Sequence, residues 1–266
     1  GGVPPIRPGG VPPIRPGGDE LVPPLSGAWN FRDVAEKTGI APGRLFRSGE
    51  LSKLDDEGRE TLARVGVTDV ADLRSAPELE RHGTGLVPNG VVIHHLPFVE
   101  TIASDADAPH EHAFQKMLTE KPDDESVSDA AGRYMTEEYG RIARSPLAQR
   151  AVHKVVTMLG NDGRVLAHCF AGKDRTGFTI AVVLEAAGID RDAIMADYLA
   201  SNEAVPQLRA HIVETIRHRM SETPEVAEVA EARLTEAGLG VQEAYLESAR
   251  RAILEDFGSL DGYLEA

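Results

Sequence analysis

The sequence predicts an α/β protein with a mostly parallel central sheet, helices on both faces, and a helical C-terminal layer. Apolar runs typical of buried strands alternate with helical patterns through the first two thirds of the chain, and this alternation is typical of a parallel sheet flanked by helices. After Ile189 no segment has the pattern of a strand. In such folds reactive side chains collect at the carboxyl ends of the strands, so the residues that follow the predicted strands are the candidates for function.

Each element is predicted from a local pattern. Short apolar runs predict strands over residues 45–47, 67–73, 91–96 and 165–167. Helical patterns cover residues 52–66, 110–118, 129–143, 147–159, 178–187, 190–200, 203–220, 224–234 and 241–257. Gly66 ends the first of these helices. In the C-terminal part, Leu208, Ile212 and Ile216 recur along one face and make their helix amphipathic.

Residues 1–24 differ in composition from the rest of the chain. Gly-Gly-Val-Pro-Pro-Ile-Arg-Pro occurs twice in tandem, and a degenerate copy, Val-Pro-Pro, follows. A tract so rich in proline and glycine cannot form a packed core, so we expect a disordered tail here and a single domain over residues 25–266. The alternative for the tail is a docking segment for a proline-reading domain.

Composition narrows the classes of function. Of the 266 residues, 41% are hydrophobic and 27% are charged, which is ordinary for a globular protein. The formal net charge of −15 disfavours nucleic acid and anionic membranes as partners. No apolar run suits a signal peptide or a membrane span, which favours a cytoplasmic protein or one secreted without a visible signal peptide. Nothing in the composition indicates an oligomeric state.

No metal or cofactor is expected. The single cysteine excludes an intramolecular disulfide and a cysteine-based metal cluster. The histidines show no ligand spacing, because His94 and His95 are adjacent on a strand and face opposite ways, and His110 and His112 fall on different faces of a helix.

The stretch 168–177, His-Cys-Phe-Ala-Gly-Lys-Asp-Arg-Thr-Gly, lies between a predicted strand and a predicted helix. A loop that closes into the first turn of a helix directs backbone N–H groups inward and forms a cradle for an anion. Gly172 lets the backbone approach that anion closely, and Arg175 can place its planar guanidinium bidentately against two phosphate oxygens. The predicted substrate-binding residues of the loop are Phe170, Ala171, Gly172 and Lys173.

Cys169, at the mouth of this cradle, is the predicted nucleophile. A helix N-terminus and a nearby cation lower the pKa of a thiol from about 8.5 to between about 3.5 and 7.5, so a thiolate is expected. The expected reaction is in-line attack on phosphorus, a cysteinyl-phosphate intermediate and its hydrolysis by water. Thr176 is placed to hydrogen-bond the sulfur and ease its departure, and His168 to order the loop. A buried structural cysteine is the alternative, but it leaves the neighbouring Gly, Arg and Thr unexplained.

The pattern His-Cys-x5-Arg-Thr-Gly resembles the signature of the cysteine-dependent protein tyrosine and dual-specificity phosphatases. Three motifs accompany it, namely Asn-Phe-Arg-Asp at 30–33, Leu-Phe-Arg-Ser at 45–48 and Asp-Leu-Arg-Ser at 72–75. Together they resemble the bacterial branch of that family typified by mycobacterial protein tyrosine phosphatase B. The resemblance implies a phosphotyrosine phosphatase exported to act on a host, with a helical lid over its active site, which we place within residues 206–236.

The reaction also needs an acid that protonates the departing oxygen. Asp174 lies in the loop beside Arg175, where an enclosed anion favours its protonated form. Glu100 follows the strand 91–96 in a loop able to reach the pocket, about where the resemblance implies an acidic residue, usually aspartate. Asp105 and Asp107 in the same loop are weaker alternatives. We favour Asp174 over Glu100.

Lys173 bears on the class of substrate. Loops that read Cys-x-x-Gly-Lys-x-Arg resemble those of phosphoinositide phosphatases, where a second cation can pair with a second phosphate. The expected substrates are therefore phosphoproteins and phosphoinositides. The alternative is that Lys173 only offsets Asp174. Arg81, with Arg141 or Arg144, is expected to supply positive charge at the outer rim.

Two other functions compete with hydrolysis of a phosphate ester. A sulfurtransferase or arsenate reductase also sets a cysteine at an anion loop, but the Arg-Thr-Gly ending and the upstream motifs disfavour it. A phosphate-binding scaffold without turnover is the second alternative, and the presence of both Cys169 and Arg175 disfavours it.

Overall fold

In the computed structural model, which describes residues 22–99 and 108–266, a five-stranded sheet lies between helices. The strands are β1 (Arg32–Asp33), β2 (Leu45–Ser48), β3 (Asp69–Asp72), β4 (Val92–His95) and β5 (Val165–His168). Their order is β1-β2-β5-β3-β4, with β1 antiparallel to β2 and the other neighbours parallel. The predicted α/β fold with a mostly parallel sheet is confirmed.

Helices cover both faces of the sheet, and after Ile189 the described elements are all helices joined by short turns, as predicted. The helices of the first part are α1 (Ala35–Thr38), α2 (Asp56–Val65), α3 (Ala76–His82), α4 (Pro109–Thr119), α5 (Val127–Arg144), α6 (Pro146–Gly160) and α7 (Arg175–Ala186). Those of the C-terminal layer are α8 (Arg191–Leu199), a 3-10 helix (Ala200–Ala204), α9 (Val205–Arg219), α10 (Pro224–Ala232), α11 (Glu236–Leu239), α12 (Glu243–Phe257) and α13 (Leu260–Glu265).

Two elements near the loop have no counterpart in the sequence prediction. β1 has two residues, too few to show the alternation of a strand. α3 has seven, too few for a clear helical period. It begins with a capping box, in which the Glu78 N–H donates to the Ser75 hydroxyl and the Ser75 N–H donates to the Glu78 carboxylate. The Ser-x-x-Glu spacing was the visible signal for this helix.

β5 is buried on both faces. Val165 and Ala167 pack into the larger apolar core, with residues of α5, α6, α7 and α12. Leu166 packs into a second core on the opposite face, together with Phe46 of β2 and Leu62 of α2. A strand that is buried on both faces has a continuous apolar sequence, and this is why the sequence predicts β5.

The register of the parallel strands aligns their carboxyl ends. His168 of β5 pairs with Ser48 of β2 and with Asp72 of β3, and Asp72 pairs with His95 of β4. The residues that follow these four therefore emerge at one edge of the sheet. Cys169 is the central one of them.

A third apolar cluster lies over the loop that follows β5. Phe170 of the loop packs in it with Leu208 and Ile216 of α9 and with residues of α10 and α11. The two ends of this helical segment are joined, because Asn202 Nδ2 donates to the Val241 carbonyl at 3.0 Å and the Val241 N–H donates to Asn202 Oδ1 at 2.7 Å. We call residues 203–240 the lid. The predicted lid, 206–236, falls within these residues, and its role as a cover for the active site stays a prediction.

The packed part of the chain includes Val22, whose side chain lies against the second core. Residues 1–21, most of the predicted tail, lie outside the described residues. Among the helices of residues 22–99 and 108–266, none has both the length and the apolar character needed to cross a bilayer.

Candidate active site

Cys169 follows β5 directly and lies in the loop that leads into α7, as predicted. Its side chain is buried, with 2% of its surface exposed. The sulfur accepts hydrogen bonds from the Gly172 N–H at 3.3 Å and from the Thr176 hydroxyl at 3.1 Å. Both donors stabilise negative charge on the sulfur. The structure thus brings Thr176 to the sulfur, where the sequence prediction places it.

Gly172 is required by the shape of this loop. Its φ is +72°, and a Cβ atom at this position would lie 2.4 Å from the Ser48 carbonyl oxygen. Glycine adopts a left-handed backbone without steric cost, and its lack of a Cβ atom avoids so short a contact. The loop therefore lies directly against the end of β2.

The carbonyl groups of residues 170–172 are all held from outside the loop. The Phe170 carbonyl accepts a hydrogen bond from the Glu50 N–H at 3.0 Å. The Gly172 carbonyl accepts hydrogen bonds from Arg47 Nη2 at 2.8 Å and from Asn30 Nδ2 at 3.0 Å. The Ala171 carbonyl oxygen lies 3.5 Å from the same Asn30 nitrogen. Because the C=O and N–H groups of a trans peptide point in opposite directions, the amides of residues 171–173 face into the loop.

Arg175 forms a buried bidentate ion pair with Glu78 of α3. Its Nη1 and Nη2 lie 2.6 and 2.8 Å from the two carboxylate oxygens. Burial raises the pKa of Glu78, but the Arg175 charge and the hydrogen bonds from Arg175 and Ser75 outweigh it and lower that pKa to about 2. Arg175 Nε is buried and has no hydrogen-bond partner among the described residues. The guanidinium is therefore anchored through its two terminal nitrogens, and its Nε–H is available to an anion.

Asp174 and Lys173 pair with each other. The Tyr139 hydroxyl donates to one oxygen of Asp174 and Lys173 Nζ donates to the other, each at 2.7 Å. Lys173 Nζ also lies 3.2 and 3.4 Å from the carbonyl oxygens of Gly238 and Gly240, at the C-terminal end of the lid. This arrangement corresponds to the alternative in which Lys173 offsets Asp174. A contact between Lys173 and substrate would require the ammonium to leave these partners.

His168 and the Asp-Leu-Arg-Ser motif support the start of the loop. His168 Nδ1 lies 3.0 Å from the Cys169 carbonyl oxygen, and burial lowers the pKa of His168 although Asp72 opposes the shift. Asp72 accepts two hydrogen bonds from Arg74, at 3.0 Å from Nε and 2.9 Å from Nη2. His168 is thus a neutral ring that orders the backbone.

A cavity of about 320 Å³ lies between the loop and the lid. Phe170 lines it, and the ring centroids of His82, His110 and His211 lie 5.4, 5.7 and 5.7 Å from that of Phe170. The arginines that line the cavity are Arg81, Arg219 and Arg233. The predicted substrate-binding residues Phe170 and Arg81 therefore lie on one apolar cavity with basic residues in its walls.

A second cavity has a volume of about 280 Å³. It is lined by Arg175, by Val99 and by the predicted rim residues Arg141 and Arg144. Arg141 pairs with Glu138 at 2.5 Å, and Arg144 with Glu255 and Asp256 of α12 at 3.0 and 3.2 Å. The predicted acids Glu100, Asp105 and Asp107 lie in residues 100–107, outside the described residues.

Residues 22–99 and 108–266 contain no group of three or more His, Cys, Asp or Glu side chains arranged to hold a metal ion. The charged residues of the site are instead paired with each other, as in the Arg175–Glu78 and Lys173–Asp174 pairs.

Four residues that hold the loop are absent from the sequence prediction of the site. They are Asn30, Arg47, Glu78 and Tyr139. Two of them had a signal, because Asn30 and Arg47 belong to the upstream motifs at 30–33 and 45–48. Those motifs fold onto the outside of the cysteine loop.

Comparison with known proteins assigns the chain to a family. Residues 23–266 match the family described as the tyrosine phosphatase family. This chain belongs to the tyrosine phosphatase family. The predicted family and the predicted phosphatase activity are confirmed.

The phosphatase is similar to three relatives, which differ in the share of each chain that can be aligned. It is 55% identical to the triple specificity protein phosphatase PtpB of Mycobacterium tuberculosis over 252 residues, which make up 90% of this chain and 91% of the relative. It is 31% identical over 244 residues, 88% of this chain and 80% of the relative, to a Cupriavidus necator protein assigned to the tyrosine-protein phosphatases. A Nostoc commune tyrosine-protein phosphatase is 29% identical over 166 residues, 62% of this chain and 50% of the relative.

Proposed function

We propose that this phosphatase hydrolyses phosphotyrosine, and also phosphoserine, phosphothreonine and phosphoinositides, through a cysteinyl-phosphate on Cys169. The proposal rests chiefly on the buried Nε–H of Arg175, which has no partner among the described residues although Glu78 fixes the rest of the guanidinium. Together with the inward amides of residues 171–173, it offers donors to phosphate oxygens around a sulfur nucleophile. Fixed donors of this kind stabilise the charge of a transition state.

In the first step the Cys169 sulfur attacks phosphorus. A sulfur–phosphorus bond forms as the phosphorus–oxygen ester bond breaks, and the departing oxygen takes a proton from an acidic side chain. Arg175 and the loop amides hold the other three oxygens of the phosphoryl group. The product of this step is the cysteinyl-phosphate and the free alcohol or phenol.

In the second step water attacks the cysteinyl-phosphate. A phosphorus–oxygen bond forms, the sulfur–phosphorus bond breaks, and the water proton passes to the carboxylate that served as acid. The Thr176 hydroxyl and the Gly172 N–H, at 3.1 and 3.3 Å from the sulfur, receive the negative charge that returns to Cys169. This contact gives Thr176 a role in the second step.

Glu100 is the better candidate for the acid, and Asp174 is the alternative. Glu100 follows β4 in the chain, and the family resemblance implies an acidic residue at about this position. Both oxygens of Asp174 already accept hydrogen bonds from a tyrosine and a lysine. These observations reverse the preference for Asp174 that the sequence alone suggests.

The substrate range is supported by the cavity under the lid. Its walls combine the ring of Phe170 with aliphatic side chains and with Arg81, which suits an apolar group carried next to a phosphate. An aromatic ring or an acyl chain meets that description. The triple specificity in the name of the Mycobacterium tuberculosis relative also supports a range wider than phosphotyrosine.

The proposal is tested with Cys169→Ser. Wild type should release phosphate from p-nitrophenyl phosphate without an added thiol, whereas Cys169→Ser should bind a phosphotyrosine peptide and release none. Since the chain has one cysteine, stoichiometric alkylation should abolish activity in wild type. Phosphate release by Cys169→Ser, or the need for a thiol donor, would rule the mechanism out.

The substrate range is tested with Lys173→Ala. If Lys173 turns to a second phosphate, turnover of a phosphoinositide should fall by at least tenfold more than turnover of phosphotyrosine. An equal loss on both substrates would leave Lys173 with only the structural pairing to Asp174.

A further inference from the structure

We propose that Asn30, Arg47 and Asp197 are positioning residues of the reaction, because together they turn two loop carbonyls outward and thereby aim the amides of Gly172 and Lys173 at the phosphate. The inference rests on the proposed use of the loop as a phosphate cradle. None of the three side chains needs to touch the substrate. They act through the peptide groups that do.

The first step of the inference is the geometry of the peptide groups. The Gly172 carbonyl accepts hydrogen bonds from Arg47 Nη2 at 2.8 Å and from Asn30 Nδ2 at 3.0 Å. The N–H of the same peptide group belongs to Lys173, and in a trans peptide it points the opposite way. Holding this carbonyl outward therefore holds the Lys173 N–H inward.

The second step concerns the amide of Asn30. Its Oδ1 accepts from Arg32 Nη1 at 2.6 Å, and an arginine nitrogen can only donate. The Nδ2 end is therefore the one that faces the carbonyls of Ala171 and Gly172. Asn30 also has a φ of +58°, a left-handed conformation that asparagine tolerates better than most residues. Both the side chain and the backbone of this position suit asparagine.

The third step is the carboxylate that joins the two arginines. Asp197 Oδ1 lies 3.0 Å from Arg32 Nε, and its Oδ2 lies 2.8 Å from Arg47 Nη1. Arg47 and Asp197 are 0% and 1% exposed, so water does not compete for these bonds. Ser201 Oγ accepts from both arginines at 3.2 Å. One residue of α8 thus sets the direction of the side chains that orient the loop.

Charge adds to this orientation. Two guanidinium groups share the single carboxylate of Asp197, which leaves net positive charge buried behind the loop. Burial and the neighbouring Arg47 lower the pKa of Arg32 to about 10, so Arg32 remains charged at neutral pH. A cation bound to the Gly172 carbonyl polarises that peptide group and makes its N–H a stronger donor to an anion.

The test is Asn30→Asp, which keeps the size of the side chain and its tolerance of the left-handed backbone. It replaces the donating Nδ2 by an oxygen that faces two carbonyl oxygens. We expect the dissociation constant of inorganic phosphate, measured by calorimetry, to rise at least tenfold, with a comparable fall in kcat/KM. The control is Asn161→Asp, which adds the same charge at an exposed position after α6 and should change neither value.

Arg47→Lys is the second variant, in case Asn30→Asp does not fold. It keeps the positive charge, but one ammonium cannot reproduce the fork that joins Asp197 to the Gly172 carbonyl. We again expect at least a tenfold loss of phosphate affinity. Val155→Ala, which removes buried apolar volume in α6, serves as a control with lowered thermal stability.

Phosphate affinity separates positioning from general destabilisation. If these residues position the loop, the folded fraction of each variant should bind phosphate with a higher dissociation constant than wild type. Val155→Ala should lower Tm and leave that dissociation constant unchanged. Phosphate affinity within threefold of wild type in the folded variants would overturn the inference. Failure of the proposed function would give a different result from failure of this inference. Wild type would then bind phosphate but show no hydrolysis that depends on Cys169.

Discussion

Arg175 is held by a carboxylate in a way that leaves its Nε–H available for the phosphate of the proposed reaction. Glu78 binds the two terminal nitrogens, and Nε has no partner among the described residues. The pKa of Glu78 in the folded protein is about 2. The ion pair therefore stabilises the fold fully at pH values above the usual pKa of a glutamate, and this stabilisation is lost as the pH falls toward 2. The guanidinium is therefore fixed in place at every pH near neutrality.

The first prediction, at the scale of a residue, identifies the acid. The acid must be protonated, so its ionisation produces the basic limb of the pH–rate profile. Glu100→Gln should lower kcat by about 10²–10⁴-fold and remove that limb, whereas Asp174→Asn should keep it. The measurement is kcat and kcat/KM on p-nitrophenyl phosphate from pH 4 to 9.

Thermal unfolding of both variants provides the control for this comparison, because Asp174 accepts hydrogen bonds from Tyr139 and Lys173 and its replacement also affects stability. A basic limb that persists in Glu100→Gln and disappears in Asp174→Asn would reverse the assignment.

At the scale of an element, α9 is one of the parts of the lid that pack against the loop. Leu208 and Ile216 pack in the cluster that contains Phe170. His211 of the same helix contacts the rings of Trp29 and Phe170, with centroids 5.2 and 5.7 Å apart. Burial, with a smaller effect of Lys53, lowers the pKa of His211, so the packed helix favours the neutral ring.

The second prediction follows from that shift. The pKa of His211 is lower in the folded protein than in the unfolded chain. Its contribution to stability is therefore complete at pH values above the ordinary histidine pKa of about 6.5 and declines as the pH falls below that value. Hydrogen exchange of the α9 amides, corrected for the intrinsic rate, should therefore accelerate severalfold between pH 7.5 and 5.5.

His211→Gln cannot take up the proton, so it should reduce this pH dependence. His82 and His110 also contact Phe170, and burial lowers their pKa values, so a residual dependence is expected. The amides of α12 serve as an internal control. An identical profile in wild type and His211→Gln would contradict the prediction.

At the scale of the whole molecule, a net charge of −15 surrounds a site for an anionic substrate. The basic groups near Cys169 are local and mostly paired, as in the Arg175–Glu78 and Arg47–Asp197 contacts. The attraction for phosphate therefore depends on short-range donors in a buried loop rather than on the field of the protein. The first described residues already take part in apolar packing, since Leu25 lies in the second core and Val22 packs against it.

The third prediction concerns the repeat at the N-terminus. Removal of residues 1–21 should leave kcat/KM and Tm unchanged, because a tract so rich in proline and glycine cannot form a packed core. In the shortened chain, Leu25→Ala should lower the free energy of unfolding by about 2–5 kcal/mol, as expected for a buried leucine. Loss of activity on removal of residues 1–21 would show that the repeat takes part in the function.

The cysteine loop and the parallel sheet were predictable because each has a local signature. The run 165–167 is apolar throughout since β5 is buried on both faces. Cys169, Arg175 and Thr176 lie within one strand-to-helix junction, so their proximity follows from the spacing of residues 169–176 alone. The helical C-terminal layer was predictable from the absence of strand patterns after Ile189.

The sequence by itself determined the sheet and the family, and it predicted Cys169 as the nucleophile and Arg175 as the phosphate-binding arginine. Only the tertiary structure decided what holds the loop in shape: Glu78 on Arg175, Asn30 and Arg47 on the Gly172 carbonyl, and Tyr139 with Lys173 on Asp174. The first of these pairs joins residues 97 positions apart in the chain. Buried polar groups must find partners wherever the fold supplies them, and those partners depend on which strands and helices become neighbours, which no local pattern records.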